Sequence, residues 1–373
     1  MNEKNYTAIT LDTSIFDGNA LKLEKGLLGK LKQFNDSPTK FVLTDIIVNE
    51  LVKHLHEKTI NSKTSLQKAL EEANEHLFFE GSLLIDAKQQ LIDSPEINDL
   101  ANSRVNAFLE RTGAIVLDSA DYVSVAELRD NYFNNKPPFA VTGKKKNEFP
   151  DAIALLALEH WAKENGEVIY AVAKDGDWKS YCEDSECLDY NESLADALDY
   201  FNNKDAPFIV VKKLESEFQL LNTSKFGVQL RGQLESVFTG YYVDQDADSP
   251  FNWEPEGVDV TFEDFTTSDD KLKLIEKTES SIVVEALINV ELNAEGTFSL
   301  YQYDSIDHDQ LYLDSVTKDV EESFECRILI TFEGDLDKAK EDTDYLEIDN
   351  VEVIDKLKSI HFGYLELEYN DYN

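Results

Sequence analysis

The chain is expected to fold as an α/β domain built on a parallel sheet, followed by a mainly antiparallel β domain. Three observations carry that expectation. In the first half, short apolar β-rich runs alternate with helical stretches, the pattern of a parallel sheet covered on both faces. In the second half, apolar residues recur at every other position between acidic segments. With 373 residues, 42% hydrophobic and 11% aromatic, the chain exceeds a typical single domain and can bury a core in each half.

The first strand is expected over residues 6–11, ending on Asp12-Thr13-Ser14, and a second over 40–43. Thr44 or Asp45 can cap a helix that runs through Ile47, Glu50, Leu51 and Leu55. A polar helical stretch continues to about Arg111, with a break near Pro95, and residues 114–117 form a third strand. Pro150 sits at a helix start, where its missing N–H costs nothing, and 151–163 reads as a strongly amphipathic or buried helix. Residues 168–173 form a fourth strand, followed by Lys174-Asp175-Gly176-Asp177-Trp178, and Asn191 is placed to cap a last helix over 192–201.

Beyond Pro207 the texture changes. Residues 208–211 read as an edge strand and 214–238 as helix interrupted near Asn222. Strands are then expected at 281–292, 297–303, 326–332, 345–354 and 360–369, separated by acidic turns. The domain boundaries follow as 1–206 for the α/β domain, 207–240 for a helical bridge, and 241–373 for an acidic β-rich domain.

Charge bounds the function. Net charge is −40, and it is uneven: residues 1–200 hold 35 acidic against 21 basic residues, net −14, whereas 201–373 hold 40 against 14, net −26. Polynucleotide is bound mainly by neutralising phosphate, so a general nucleic-acid coat is excluded and the second half is the less suited to such contact. Cys182, Cys187 and Cys326 are too few for a disulfide framework, no apolar run reaches a membrane span, and the first residues lack a signal-peptide pattern. A cytoplasmic protein is expected.

Four carboxylates stand out by placement. Asp12 follows the first strand, Glu50 lies about two turns into the helix after the second, Asp151 is in the first turn of its helix, and Asp175 follows the fourth strand, with Asp177 beyond the Gly176 turn. Ligands of an open parallel sheet collect outside the carboxyl ends of its strands, so these acids can share one cleft although they lie about 40, 100 and 25 residues apart. Clustered carboxylates repel unless they share a cation; an all-oxygen set suits Mg²⁺ or Mn²⁺, which can hydrolyse phosphodiesters. Taken one at a time, each acid is an ordinary cap, turn former or solvated residue.

Together, the strings 9–14, 47–51, 150–155 and 172–178 occur in order and resemble the four acidic motifs of the PIN-domain nucleases, across nearly the whole first half. The stretch 143–151 is similar to a larger PIN-like subgroup. The resemblance implies a metal-dependent ribonuclease in which Asp12, Glu50, Asp151 and Asp175 are catalytic and hold Mg²⁺ or Mn²⁺. Asp177 is a supporting ligand, and Thr13 or Ser14 bonds near the first acid on the substrate side. Glu148 is a further candidate acid. Lys144, Lys145 and Lys146, the densest basic spot of the chain, are expected to grip substrate phosphate. Ala173 stands where many PIN sequences carry serine or threonine, the segment between Glu50 and Asp151 is long, and the acidic second half lies outside the family's common domain.

RNA is the substrate the resemblance favours, in a toxin or defence role. The same acids would serve a nuclease cutting structured or flapped DNA, and a catalytically silent module binding a partner protein is the third reading. The β domain is expected to regulate, to make a homo-oligomer or to recognise a protein partner. Zinc is disfavoured: His54 and His56 point to different helix faces, and Cys182 and Cys187 lack a second pair.

Overall fold

The computed structural model describes residues 5–35, 37–79, 81–92, 99–139, 148–202, 208–218, 224–238, 240–269, 271–304 and 309–367. The chain divides into two compact units, Met1–Leu198 and Asp199–Asn373.

The first unit runs β1 (Ala8–Leu11), α1 (Thr13–Gly18), α2 (Gly26–Lys30), β2 (Lys40–Thr44), α3 (Asp45–Leu77), α4 (Leu83–Leu91), α5 (Leu100–Thr112) and β3 (Ile115–Leu117). It continues through α6 (Ser119–Tyr122), α7 (Val125–Phe133), α8 (Phe149–Asn165), β4 (Ile169–Val172), α9 (Gly176–Glu183) and β5 (Leu188–Asn191) to the start of α10 (Leu194–Asn202), within which the division falls. Five parallel strands lie in the order β3-β2-β1-β4-β5. The winding direction reverses between β1 and β4, so the ends of those two strands open the crevice where such sheets bind ligands.

Local chemistry explains the elements. All of β1 and nearly all of β2 are buried, as central strands of a sheet covered on both faces must be. Thr44 is the residue that caps α3, accepting from Ile47 N at 3.3 Å. Only Ile47, Leu51 and Leu55 of that 33-residue helix are buried, so its first three turns dock on the core, and the largely polar remainder is met by α4, where Lys88 bonds Glu71 at 2.8 Å. α8 starts on the proline-bearing first turn and stops at Gly166, whose φ of 68° is the left-handed cap that glycine adopts without Cβ strain.

β5 is a strand the sequence pattern missed, because Leu188 is its one fully buried residue and the acidic remainder reads as a loop. Asn191 pairs there with Val172, and it is Ser193 that caps α10, accepting from Asp196 N at 3.2 Å.

In the second unit, α11 (Phe208–Phe218) and α12 (Lys225–Phe238) precede β6 (Asp244–Asp248), β7 (Asn252–Thr267), β8 (Lys273–Lys277), β9 (Ser281–Asp304) and β10 (Asp309–Gly334). α13 (Leu336–Ala339), β11 (Leu346–Val353) and β12 (Ser359–Tyr364) complete it. The antiparallel sheet has the order β11-β10-β9-β7 with β8 added on β9, and β6 pairs with β12 in parallel.

The edge strand expected at 208–211 is instead the start of α11. Val210, Val211, Leu214 and Phe218 fall on one helical face and pack, with Leu230, Leu234 and Phe238 of α12, into the core under the sheet. The separate strands expected at 281–292 and 297–303 are one 24-residue strand. Gly296 marks close packing rather than a turn, since a Cβ there would stand 2.7 Å from the Phe362 ring.

Candidate functional site

Asp12, Thr13 and Ser14 leave the end of β1 directly into α1. Asp12 is the helix cap, and both Ser14 donors, N–H at 3.1 Å and the hydroxyl, converge on its Oδ2. The carboxyl is almost fully buried, and burial holds it above the ordinary range despite those bonds, with nearby Asp175 pushing the same way. Thr13, also buried, donates its hydroxyl to Glu50 Oε2 at 2.8 Å.

After β4, Lys174 N donates to Ser14 Oγ at 3.0 Å, fastening the fourth acidic segment to the first. Asp175 then caps α9 by accepting from Asp177 N at 2.8 Å, and Asp177 is buried in that helix's first turn. Trp178, fully buried, donates Nε1–H to Asp151 Oδ1 at 3.3 Å across to the first turn of α8.

These contacts form one continuous network. Thr13 joins the first segment to the helix of Glu50, Ser14 joins it to the segment of Asp175, and Trp178 joins that segment to Asp151. Each of the four acids is pinned through one named oxygen. Asp151 is pushed up to about 7, first by burial and then by the charges of Asp12 and Glu148; the Trp178 bond opposes the rise. Glu148 caps nothing with its side chain and contributes to the rise at Asp151. Among the described residues, none of Asp12, Glu50, Asp151 and Asp175 has an ion-pair partner, which is why Asp12 and Asp151 are held up rather than down.

The donor set fits a hard divalent cation: oxygen ligands only, at least two of them buried and repelling each other, with no ion-pair partner among the described residues. Yet among the described residues no three His, Cys, Asp or Glu side chains are grouped closely enough to hold a metal ion. The acids are near enough to feel one another's charge but are not gathered into a finished cage.

The structure also places other residues that the sequence singled out. The hydroxyls of Thr13 and Ser14 are spent on Glu50 and Asp12. Lys144, Lys145 and Lys146 lie outside the described residues. His54 bonds Asp17 at 2.9 Å, and Cys182, Cys187 and Cys326 form no disulfide.

Two contributors escaped sequence reasoning. Trp178 was visible only as the end of a motif, and its long reach to the helix of Asp151 needs the fold. Lys174, exposed just before Asp175, extends its Nζ over Gly18 at the end of α1, and a lysine flanked by an acidic turn gave the only sign of it. Among the described residues no helix is long and apolar enough to cross a membrane. The family model described as PIN domain matches residues 9–178. No curated protein and no solved structure matches the chain.

Proposed function

We propose, from the match of residues 9–178 to the PIN-domain family model, that the first unit is a nuclease that hydrolyses RNA phosphodiesters in the cytoplasm with Mg²⁺ or Mn²⁺. The observation that carries this reading is the network itself. Acids from four separated segments are tied by Thr13, Ser14 and Trp178 at the strand ends where the sheet's winding reverses. Structural carboxylates are normally paired with a cation or left in water; Asp12 is buried with neither.

Asp12, Glu50, Asp151 and Asp175 would hold the metal, with Asp177 in support. A bound divalent cation supplies positive charge opposite a phosphate and makes a nearby water easier to deprotonate. The chain's own part is positioning. Ser14 and Trp178 fix one oxygen each of Asp12 and Asp151, and Thr13 orients Glu50, the group proposed to take a proton from the attacking water. Lys174, whose backbone N–H bonds Ser14, is proposed to meet substrate phosphate together with Lys144, Lys145 and Lys146.

The strongly acidic second unit is proposed to serve protein contacts, regulatory or homo-oligomeric, rather than nucleic acid. A silent partner-binding module is the second reading, and one observation favours it: among the described residues no three His, Cys, Asp or Glu side chains are grouped closely enough to hold a metal ion. Labelled single-stranded RNA, single-stranded DNA and flapped DNA, incubated with wild type and Asp151→Asn in Mn²⁺, Mg²⁺ or EDTA, separate the readings. RNA cutting that needs metal and vanishes in the variant is expected. Preferential DNA cutting would move the substrate class, and no cutting by folded protein would favour the silent module.

A further inference from the structure

We infer that a basic groove beyond the acid cluster, along α3, is a docking site for single-stranded nucleic acid. This rests on the nucleic-acid reading of the first unit and adds a second point of contact to it. The groove, about 530 Å³, lies between the segment after α1 and the helices α3, α4 and α5. Lys22, Lys25, Lys58 and Lys63 line it, and among the described residues none of the four has a carboxylate partner. In a chain of net charge −40, four lysines left unpaired in one groove are a concentrated exception.

The groove is built rather than incidental. Ala20 and Leu21 are held at φ 54° and 55°, left-handed positions that side chains rarely adopt. Two arginines brace that segment: Arg111 donates to Leu23 O at 2.7 Å, and Arg104 forks onto Glu24 at 2.7 and 2.8 Å. Glu24 is the one acid among the described lining residues, and Arg104 neutralises it, lowering its pKa first through that hydrogen bond. The strained loop thus presents Lys22 and Lys25 outward while its own charge is cancelled.

Position ties the groove to the acids. Lys22 and Lys25 follow α1, which starts at Asp12, and His54 joins α3 to α1 through Asp17. Along α3, Lys58 lies about 12 Å and Lys63 about 20 Å beyond Glu50 at 1.5 Å per residue. A strand whose backbone follows α3 would meet lysines on leaving the cleft. Leu21, Leu55, Leu66 and Leu91 lie among them, and Leu66 and Leu91 are exposed. Unpaired bases can cover such apolar surface, whereas a duplex offers mainly sugar and phosphate, so the single strand is favoured. No aromatic side chain lines the groove among the described residues, so base-specific stacking is not expected.

The test uses the full chain in EDTA, with a labelled oligouridylate of about sixteen nucleotides read by fluorescence anisotropy. One variant changes Lys22, Lys25, Lys58 and Lys63 to Gln; a charge-matched control changes Lys271, Lys277, Lys318 and Lys358 of the second unit. The groove variant should bind at least about tenfold more weakly, with a salt slope shallower by about 3, at about 0.7 per phosphate of a single strand. The control should bind as wild type, and circular dichroism should show both variants folded.

Equal weakening in the control, or an unchanged slope in the groove variant, overturns the inference. So does competition by polyglutamate matching oligouridylate at equal charge, or equal binding of a duplex. If wild type cuts nothing yet binding falls as stated, the groove stands and the nuclease reading fails. If RNA is cut and the groove variant binds normally, the reverse holds.

Discussion

Replacing Asp151 by Asn should stabilise the metal-free protein, and the structure sets the size of the gain. The carboxyl is pushed from 3.8 to about 7, by burial first and then by Asp12 and Glu148. A group protonated more readily in the folded chain than in the unfolded one withdraws stability as pH rises between those values, from about 4 to about 7, and the loss is complete above. A shift of about 3 units is worth about 4 kcal/mol; solvent screening of a half-buried carboxyl reduces that to about 2 kcal/mol.

Asn keeps an oxygen for Trp178 Nε1–H, so the hydrogen bond at 3.3 Å need not be lost with the charge. In a unit of this size the gain amounts to about 4–8 °C in Tm at pH 8, shrinking to about a third of that near pH 5. Calorimetry in EDTA across that range measures it, following the transition of the first unit. Added Mn²⁺ should then raise the melting temperature of wild type but not of Asp151→Asn, by about 2.7 kcal/mol of stability at a hundredfold excess over Kd. A variant that melts at or below wild type throughout, or a gain that does not grow with pH, would refute the claim that this acid is held at an electrostatic cost.

Two further outcomes follow from single contacts. Thr13→Val removes the donor to Glu50 at 2.8 Å while keeping the buried shape. If Thr13 positions that acid, RNA cleavage should lose about tenfold in kcat, about 1.4 kcal/mol, with KM unchanged and Thr13→Ser restoring it; a raised KM at constant kcat would instead make Thr13 a substrate contact. In the second unit, Gly296→Ala sets a methyl 2.7 Å from Phe362 Cε1 and 2.9 Å from Gln245 Nε2, an overpacking worth about 1–3 kcal/mol. Urea unfolding should show that loss, partly relieved in the double variant with Phe362→Leu, and no loss would mean that β12 is not tightly seated on the sheet.

How much was legible follows from which forces are local. Hydrophobic periodicity of two or 3.6 residues is written in neighbours along the chain, so the alternating strands and helices of the first half, the strand-rich second half and the capping Thr44 could be read directly. Acids placed just past strand ends could be read as well, since parallel strands bring those ends to one side of the sheet whatever their separation in sequence. Where local signals misled, a tertiary partner decided. Residues 208–211 carry enough β-branched side chains to read as an edge strand, but they begin α11, whose Val210, Val211, Leu214 and Phe218 join the second core. Gly296 suggests a turn until Phe362 is seen packed against it.

The sequence by itself determined which acids exist and near which strand ends they fall. Only the tertiary structure decided that Ser14 bonds Lys174 N, that Trp178 reaches Asp151, and that Asp151 is held near neutrality. The physical reason is that hydrogen bonds between distant segments, and the desolvation that shifts a carboxyl, depend on what is packed around a group in three dimensions. The lysines of the groove show the same limit: Lys22, Lys25, Lys58 and Lys63 are scattered along the chain, and a strained loop braced by Arg104 and Arg111 makes them one surface.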